Sequence, residues 1–174
     1  IAQPGAAPQP AKSPAPVIAA TPLAKTGPFH IEKTFNVGGE GGWDLLAVDS
    51  DAHRLYVPRG NRVMVIDTKA GTVVGEIADT AGVHGVAIAS AFNRGFTSNG
   101  KTGTVTVFDL KTLKTLQTVK AGQNPDAILF EPVTKTILCF NGKSHDATVM
   151  KAEDGSVLGT IAMGGQPELP VSDG

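Results

Sequence analysis

The stretch RVMVID at residues 62–67 decides the fold, because it recurs at a fixed interval along the chain. It returns as TVTVFD at residues 104–109 and, more loosely, as ATVMK at residues 147–151. Asp67 and Asp109, which end the first two copies, lie 42 residues apart. Alternating apolar and β-branched residues of this kind are typical of β-strands. The chain is therefore predicted to repeat one small β-sheet unit.

Each repeat contains four short strand-like segments, and residues that favour turns separate them. The run VAIA at residues 86–89 is apolar on both faces, as expected of an innermost strand that neighbouring sheets cover on each side. A period of about 40 residues with four strands is typical of a β-propeller. The predicted fold is therefore all-β, a β-propeller fragment. Its full four-stranded blades lie at about residues 44–83, 84–125 and 126–167, and a partial blade lies at 168–174.

The N-terminal part of the chain differs from the repeats. Residues 1–28 are rich in Ala and Pro and carry little charge, so they are not expected to build a core. We predict a disordered leader that follows a removed signal peptide; an internal linker of a longer chain is the alternative. Residues 29–37 are predicted to form a lone outer strand. That strand would complete a last blade whose other strands lie beyond residue 174, so the remaining blades of the same chain are expected partners.

Composition limits the classes of partner. The formal net charge is −1, and charged residues make up only 18% of the chain, which argues against nucleic acid as a partner. No apolar stretch approaches the ~20 residues of a membrane span. The single cysteine, Cys139, lies in an apolar run and is predicted to be a buried structural thiol. Asp67 and Asp109 are predicted to stabilise the turns that follow their strands.

The repeat resembles the YVTN family of bacterial β-propellers. The naming tetrapeptide is matched loosely on the second strand of each blade, as YVPR at 56–59, FTSN at 96–99 and LCFN at 138–141. The surrounding frame includes VIDT at 65–68, VFDLKT at 107–112 and GQNPD at 122–126. The resemblance covers residues 29–174. It implies a seven-bladed ring when complete and a periplasmic or secreted location, but no single chemistry, because the family has none.

Four residues occupy equivalent positions ahead of the innermost strands, each after a glycine-containing loop. They are Asp44, His84, Asp126 and Glu168, and the last three are spaced by 42 residues. Sites in propellers usually lie where such loops lead into the central channel. The sequence therefore predicts a ring of three carboxylates and one imidazole around a shared opening. Trp43, the only tryptophan, would stand beside that ring.

The predicted ring allows two kinds of role. It could bind a ligand: carboxylates suit Ca²⁺ or Mg²⁺, a histidine among them suits a transition metal, and Trp43 suits a cationic or sugar-like ligand. Alternatively, the acids accept backbone N–H bonds and fix each loop, a structural role that repetition in several blades favours. His84 breaks the acidic pattern and is the strongest single candidate for function. The sequence identifies neither a cofactor nor a particular metal.

Two functions from different classes follow. The first is an exported, non-catalytic propeller that binds a partner protein or a small ligand at the mouth of the central channel. This hypothesis rests on the repeat, the leader and the lack of a GxSxG elbow, a P-loop or zinc-ligand spacing. The alternative is a metal-dependent propeller enzyme, either a lactonase-like hydrolase or a quinoprotein-like oxidoreductase. That enzyme would use His84, Asp126 and Glu168 with ligands from further blades.

Overall fold

A computed structural model describes residues 28–173 of the chain. The leader predicted over residues 1–28 lies outside the described residues, apart from Pro28, and so does Gly174. The chain divides into two compact units, Ile1–Thr34 and Phe35–Gly174. In the described part of the first unit, His30 Nε2 lies 3.7 Å from Glu32 Oε1, and the backbone forms no strand.

The second unit contains twelve strands in three antiparallel sheets of four. The first sheet consists of β1 (Ala47–Asp49), β2 (Arg54–Pro58), β3 (Val63–Asp67) and β4 (Thr72–Ile77). The second consists of β5 (Val83–Ala89), β6 (Arg94–Asn99), β7 (Thr104–Asp109) and β8 (Thr115–Lys120). The third consists of β9 (Pro125–Glu131), β10 (Thr136–Asn141), β11 (Asp146–Lys151) and β12 (Val157–Ala162).

Each sheet is a simple meander in which every strand pairs with the next one along the chain. Turns join neighbouring strands, as at Gly71 and Gly155, whose φ angles are 69° and 74°. Positive φ is a conformation that glycine adopts without steric cost, which is why the turns are rich in it. The predicted all-β fold with three four-stranded blades is confirmed.

Two apolar layers between successive sheets form the main core. The layer between the first and second sheets contains Tyr56, Val65 and Phe108, which are all fully buried. The layer between the second and third sheets contains Phe96 and Ile137 among others. Because side chains alternate along a strand, β5 serves both layers: Val86 and Ile88 face the first sheet, and Ala87 and Ala89 face the third. This arrangement confirms the innermost position predicted for residues 86–89.

Two buried asparagines tie the second strand of a blade to its third strand. Asn99 Nδ2 donates to Thr106 Oγ1 at 2.9 Å, and 42 residues later Asn141 Nδ2 donates to Thr148 Oγ1 at 2.9 Å. Both asparagines are nearly inaccessible to solvent. The Asn-Gly pairs at these positions are turn formers by sequence. The structure adds that the asparagine side chains satisfy polar groups inside the blade, as buried polar groups require.

The two turn-forming aspartates lie as predicted. Asp67 Oδ1 accepts the backbone N–H groups of Lys69 and Ala70 at 2.8 and 2.7 Å. Asp109 Oδ1 accepts those of Lys111 and Thr112 at 3.0 and 2.8 Å. Backbone hydrogen bonds to the charged form hold the pKa of both carboxyl groups below its ordinary value. Their predicted role in turn stabilisation is confirmed.

The lone outer strand predicted over residues 29–37 is not formed. A strand needs a hydrogen-bonded neighbour, and no strand among the described residues pairs with this segment. Its last residues instead pack by side chain. The ring of Phe35 lies directly over Gly71, and Val37 packs on the outward face of the first sheet against Met64 and Ile66.

The partial blade predicted at residues 168–174 also forms no strand over its described part, residues 168–173. As with residues 29–37, no described strand pairs with this segment. The outward face of the third sheet is covered in part by Leu45, which packs against Ala127, Phe140 and Ala147. β1 begins only at Ala47, so Leu45 and Leu46 lie ahead of the first strand.

Candidate functional site

The site lies on one surface of the second unit, which we call the loop face. It consists of the segments that precede β1, β5 and β9 and of the hairpin loops β2–β3, β6–β7 and β10–β11, at residues 41–44, 59–62, 78–83, 99–103, 121–124 and 142–145. Trp43 and Asp44 lie within the loop face, and His84 adjoins it. Backbone hydrogen bonds hold the loops that carry these side chains.

Backbone hydrogen bonds that repeat from blade to blade fix the loop face. Gly100 N donates to Gly82 O at 2.8 Å, and the equivalent Gly142 N donates to Asn124 O at 2.9 Å. Gly82 and Asn124 both adopt positive φ, at 68° and 55°. The neighbouring pair repeats as well: Lys143 N donates to Gln123 O at 3.0 Å. The loops therefore keep their shape through the main chain. His84 and Asp126, expected ahead of the innermost strands, are instead the second residues of β5 and β9.

Asp44 and His84, 40 residues apart, are in direct contact. His84 Nδ1 lies 2.7 Å from Asp44 Oδ2, and their side chains are 30% and 43% exposed. Asp44 Oδ1 accepts the N–H of Leu45 at 2.9 Å, which orients the carboxylate. With Nδ1 engaged by Asp44, Nε2 is the second imidazole nitrogen, and it faces Gly100, where a Cβ would lie 2.7 Å from it. The sequence prediction that these two residues share one opening agrees with this geometry.

An open pocket of about 220 Å³ surrounds the Asp44–His84 pair. We call it the Trp43 pocket; its lining includes Trp43, Asp44, Gly60, Gly82, His84 and Lys101. The Trp43 side chain is 74% exposed, which is unusual for the largest apolar side chain. A carboxylate, an imidazole, an ammonium group and an indole thus meet at one small opening. This set suits recognition of a polar group together with an apolar surface.

Asp126 and Glu168 do not join this pair. The backbone carbonyl of Asp126 accepts a hydrogen bond from Ser98 Oγ, and Ser98 Oγ in turn accepts Gly85 N at 3.0 Å. Asp126 thus links the start of β9 to the start of β5 through its main chain. Glu168 is exposed, and its Oε1 accepts Gln166 Nε2 at 3.2 Å. A role for these two carboxylates in ligand binding stays a prediction.

The metal-dependent alternative needs the side chains of the predicted ring to lie close together. Within residues 28–173, no three His, Cys, Asp or Glu side chains lie close enough together to hold a metal ion. The described residues bring together only Asp44 and His84 of the four ring positions.

In the same part of the chain, no helix has the length and apolar character needed to cross a membrane.

Lys101 is the member of the Trp43 pocket that sequence reasoning missed. It follows Asn99 and Gly100, which were assigned only to a turn. One signal was present in the sequence: Lys143 stands 42 residues after Lys101, so a cation recurs at this loop position. A repeated lysine on an exposed hairpin loop has no evident role until the structure places the loop beside His84.

Comparison with known proteins supports the architecture. The structure is similar to Kuenenia stuttgartiensis hydrazine synthase, with a TM-score of 0.69 and 17% identity over 80% of this chain and 41% of that one. It is also similar to the WD40 repeats of RRP9 and to U3-55K, each with a TM-score of 0.65 and 13% identity over 72% of this chain and 40% of the other.

These likenesses are structural only. No protein-family model matches the sequence, and no curated protein matches it either. The chain spans about two fifths of the length of the similar structures. Four-stranded antiparallel sheets that match WD40 repeats over most of the chain show that the second unit has a β-propeller fold.

Proposed function

We propose that this chain is part of an exported β-propeller that binds a partner protein or a small ligand on its loop face, at the Trp43 pocket. The observation that carries the proposal is the 74% exposed Trp43 beside the 2.7 Å Asp44–His84 contact. Exposed tryptophan is disfavoured on a surface that contacts only water, and it is enriched at the centres of binding interfaces.

The shape of the pocket favours binding. A volume of about 220 Å³ is smaller than the range of typical small-molecule sites, so a ligand would be held partly outside the pocket. A loop or side chain of a partner protein fits such an opening, with Trp43 as an apolar contact and the Asp44–His84 pair as a polar one. The similar structures have unrelated functions by name, so the fold itself selects none.

The proposal includes membership of the YVTN type and an extracytoplasmic location. The support is the repeat itself: FTSN at 96–99 and LCFN at 138–141 both end in a buried asparagine that binds the next strand. YVPR at 56–59 ends in Arg59 instead, and that blade has a shorter β2–β3 hairpin. The Ala/Pro-rich residues 1–28 support export.

The sole tryptophan makes the binding proposal directly testable. Binding at the Trp43 pocket should shift the fluorescence of Trp43, and the Trp43→Ala and His84→Ala variants should lose a partner that the unaltered protein captures from cell-envelope extract. Lys111→Ala, in the exposed β7–β8 turn, is the matched control and should retain that partner. A partner that is captured equally by all four proteins would show that the loop face is not the binding surface.

Export needs a separate measurement. The protein expressed from its full gene in its native host should be recovered with the periplasmic or secreted fraction. Recovery with the cytoplasmic fraction alone would refute the location while leaving the binding proposal untouched.

A further inference from the structure

A second opening on the loop face lies between the second and third sheets and is rich in lysine. Its volume is about 480 Å³, and its lining includes Lys101, Lys120, Gln123, Asn124, Lys143 and Ser144. We call it the lysine cleft. Its lining contains three lysines and no Asp or Glu, although the whole chain has a net charge of −1. The cleft is therefore a local concentration of positive charge on a nearly neutral molecule.

The repeat shows that this charge is not a general feature of the blades. The corresponding opening beside the first sheet is lined by Arg62, Glu76, Ala78 and Asp79 among others. There Arg62 Nε forms an ion pair with Glu76 Oε2 at 3.4 Å, and Asp79 adds a further carboxylate. Residues 42 positions later are Thr118, Lys120 and Ala121, so both acids are replaced and a lysine is gained.

The three ammonium groups are not neutralised by the protein. None of the ion pairs among residues 28–173 includes Lys101, Lys120 or Lys143. All three side chains are exposed. Lysines of like charge around one opening repel each other, and a bound anion relieves that repulsion. An anion therefore binds more favourably at these three lysines, which have no acidic partners among the described residues, than at a single surface lysine.

The walls of the lysine cleft are held in place. Gln123 N donates to Ser144 Oγ at 2.9 Å, and Ala121 N donates to Gly103 O at 2.9 Å. A Cβ at Gly122 would lie 2.3 Å from Ser144 Oγ, so the two loops approach too closely for any larger residue. The hydroxyl and amide groups of the lining add neutral hydrogen-bond donors to the three charged ones.

We propose that the lysine cleft binds a small anion with several negative charges, carried by phosphate or carboxylate groups. The cleft has the size of an ordinary small-molecule site, and its charge and donors suit anionic oxygens. This site is distinct from the Trp43 pocket; the two share only Lys101 as a wall. The inference does not depend on the proposed function, because either opening could be occupied without the other.

The test is a titration of the ¹⁵N-labelled full chain with inorganic pyrophosphate and, separately, with citrate, followed by amide NMR. We expect saturable shifts confined to residues 101–103, 120–124 and 143–144, which weaken as NaCl is raised because screening shortens the reach of the charges. A response to pyrophosphate alone would identify phosphate as the recognised group, and a response to citrate alone would identify carboxylate. Either result, or both, supports the proposal.

Variants decide whether the lysines are responsible. Lys120→Gln and Lys143→Gln should each weaken binding about threefold, and the double variant about tenfold, as expected for exposed charge pairs. Lys114→Gln, in the turn at the other end of the second sheet, should leave the affinity unchanged. The proposal is overturned if neither anion shifts these amides, if the shifts spread over lysines across the surface as an adventitious ion would cause, or if the double variant binds like the unaltered protein.

Discussion

At the scale of single residues, the buried asparagines explain what the last position of the tetrapeptide repeat does. Asn141 Nδ2 donates to both Asp146 Oδ1, at 2.6 Å, and Thr148 Oγ1, at 2.9 Å. One amide therefore fixes the start of β11 against the end of β10. In the first blade, Arg59 takes this place, and its Nε is buried without a hydrogen-bond partner among the described residues. The same backbone position thus carries different chemistry in different blades.

Replacing Asn141 should destabilise the fold. Asn141→Ala removes the two hydrogen bonds that Nδ2 donates and the long one that Oδ1 accepts from Cys139 Sγ, and it leaves the Thr148 hydroxyl without its donor. We therefore expect the free energy of unfolding to fall by about 1–3 kcal/mol. Urea unfolding followed by circular dichroism measures the change. Asn61→Ala, at an exposed loop position, is the control and should stay within about 0.5 kcal/mol. Equal effects of the two substitutions would show that the buried network contributes nothing.

Cys139 should be chemically inert in the folded protein. Burial, together with the nearby carboxylates of Asp126 and Asp146, raises the pKa of its thiol to about 12. At pH 8 the folded protein should therefore not react with a thiol reagent such as DTNB, whereas the urea-unfolded protein should react fully. Rapid labelling of the native protein would contradict this burial.

The same raised pKa predicts a dependence of stability on pH. The folded thiol stays protonated while the unfolded thiol ionises near pH 9, so the contribution of Cys139 is fully present below pH 9. That contribution declines as the pH rises from 9 towards 12. The difference in unfolding free energy between the unaltered protein and Cys139→Ala should accordingly narrow above pH 9, and a constant difference would contradict the predicted linkage.

The candidate site was only partly predictable from single residues. Alignment of the repeats identifies equivalent backbone positions, and it placed Asp44 and His84 at one opening, as the structure does. It does not determine where a side chain points, so it could not show that Asp126 participates through its carbonyl group or that Glu168 binds Gln166. Lys101 and Lys120 were missed because an exposed lysine becomes informative only when the neighbouring loops are known.

At the scale of elements, close packing between neighbouring strands of one sheet depends on positions that have no side chain. A Cβ at Gly95 in β6 would lie 2.1 Å from Cζ of Phe108, which is fully buried between the first two sheets. Gly159 in β12 has nothing within 4 Å of the same point. The two glycines therefore both lie in strands, but they differ in the room that is available for a side chain.

This contrast gives a matched pair of substitutions. Gly95→Ala must displace Phe108 and should lower the unfolding free energy by about 1–3 kcal/mol. Gly159→Ala should be neutral or stabilise by up to about 1 kcal/mol, because it restricts the unfolded chain without a clash. Thermal unfolding of the two variants beside the unaltered protein checks both. A Gly95→Ala variant as stable as Gly159→Ala would show that the Phe108 ring does not lie as close to β6 as described.

Strand prediction succeeded where partners lie within the repeat and failed where they do not. The bounds of β3 and β7 agree with the sequence pattern, because each strand pairs with neighbours a few residues away. Residues 29–37 and 168–173 were expected to begin or form strands, yet no described strand pairs with either segment. Local pattern specifies which segments can be strands; the hydrogen-bonding partner decides which of them become strands.

At the scale of the whole molecule, the outermost strands leave one row of backbone groups unpaired in each sheet. In β12 this edge is also apolar: Val157, Leu158 and Ile161 are each about half exposed, at 49%, 54% and 49%. No lysine or proline lies within β12, although such residues commonly prevent edges from pairing. The edge of the third sheet is thus suited to association with another apolar edge.

We therefore expect the chain to self-associate in a concentration-dependent way. Size-exclusion chromatography with light scattering should show oligomers that dissociate on dilution, and Leu158→Lys with Ile161→Lys should shift the population towards monomer, because charge on an edge opposes pairing. Val133→Lys replaces a 72% exposed apolar residue in a turn and should change nothing, since no strand edge is involved. A monodisperse monomer at high concentration would contradict the expectation. Oligomers that persist equally in the double variant would show that the contact lies elsewhere, and the outward faces of the first and third sheets would then be the next candidates.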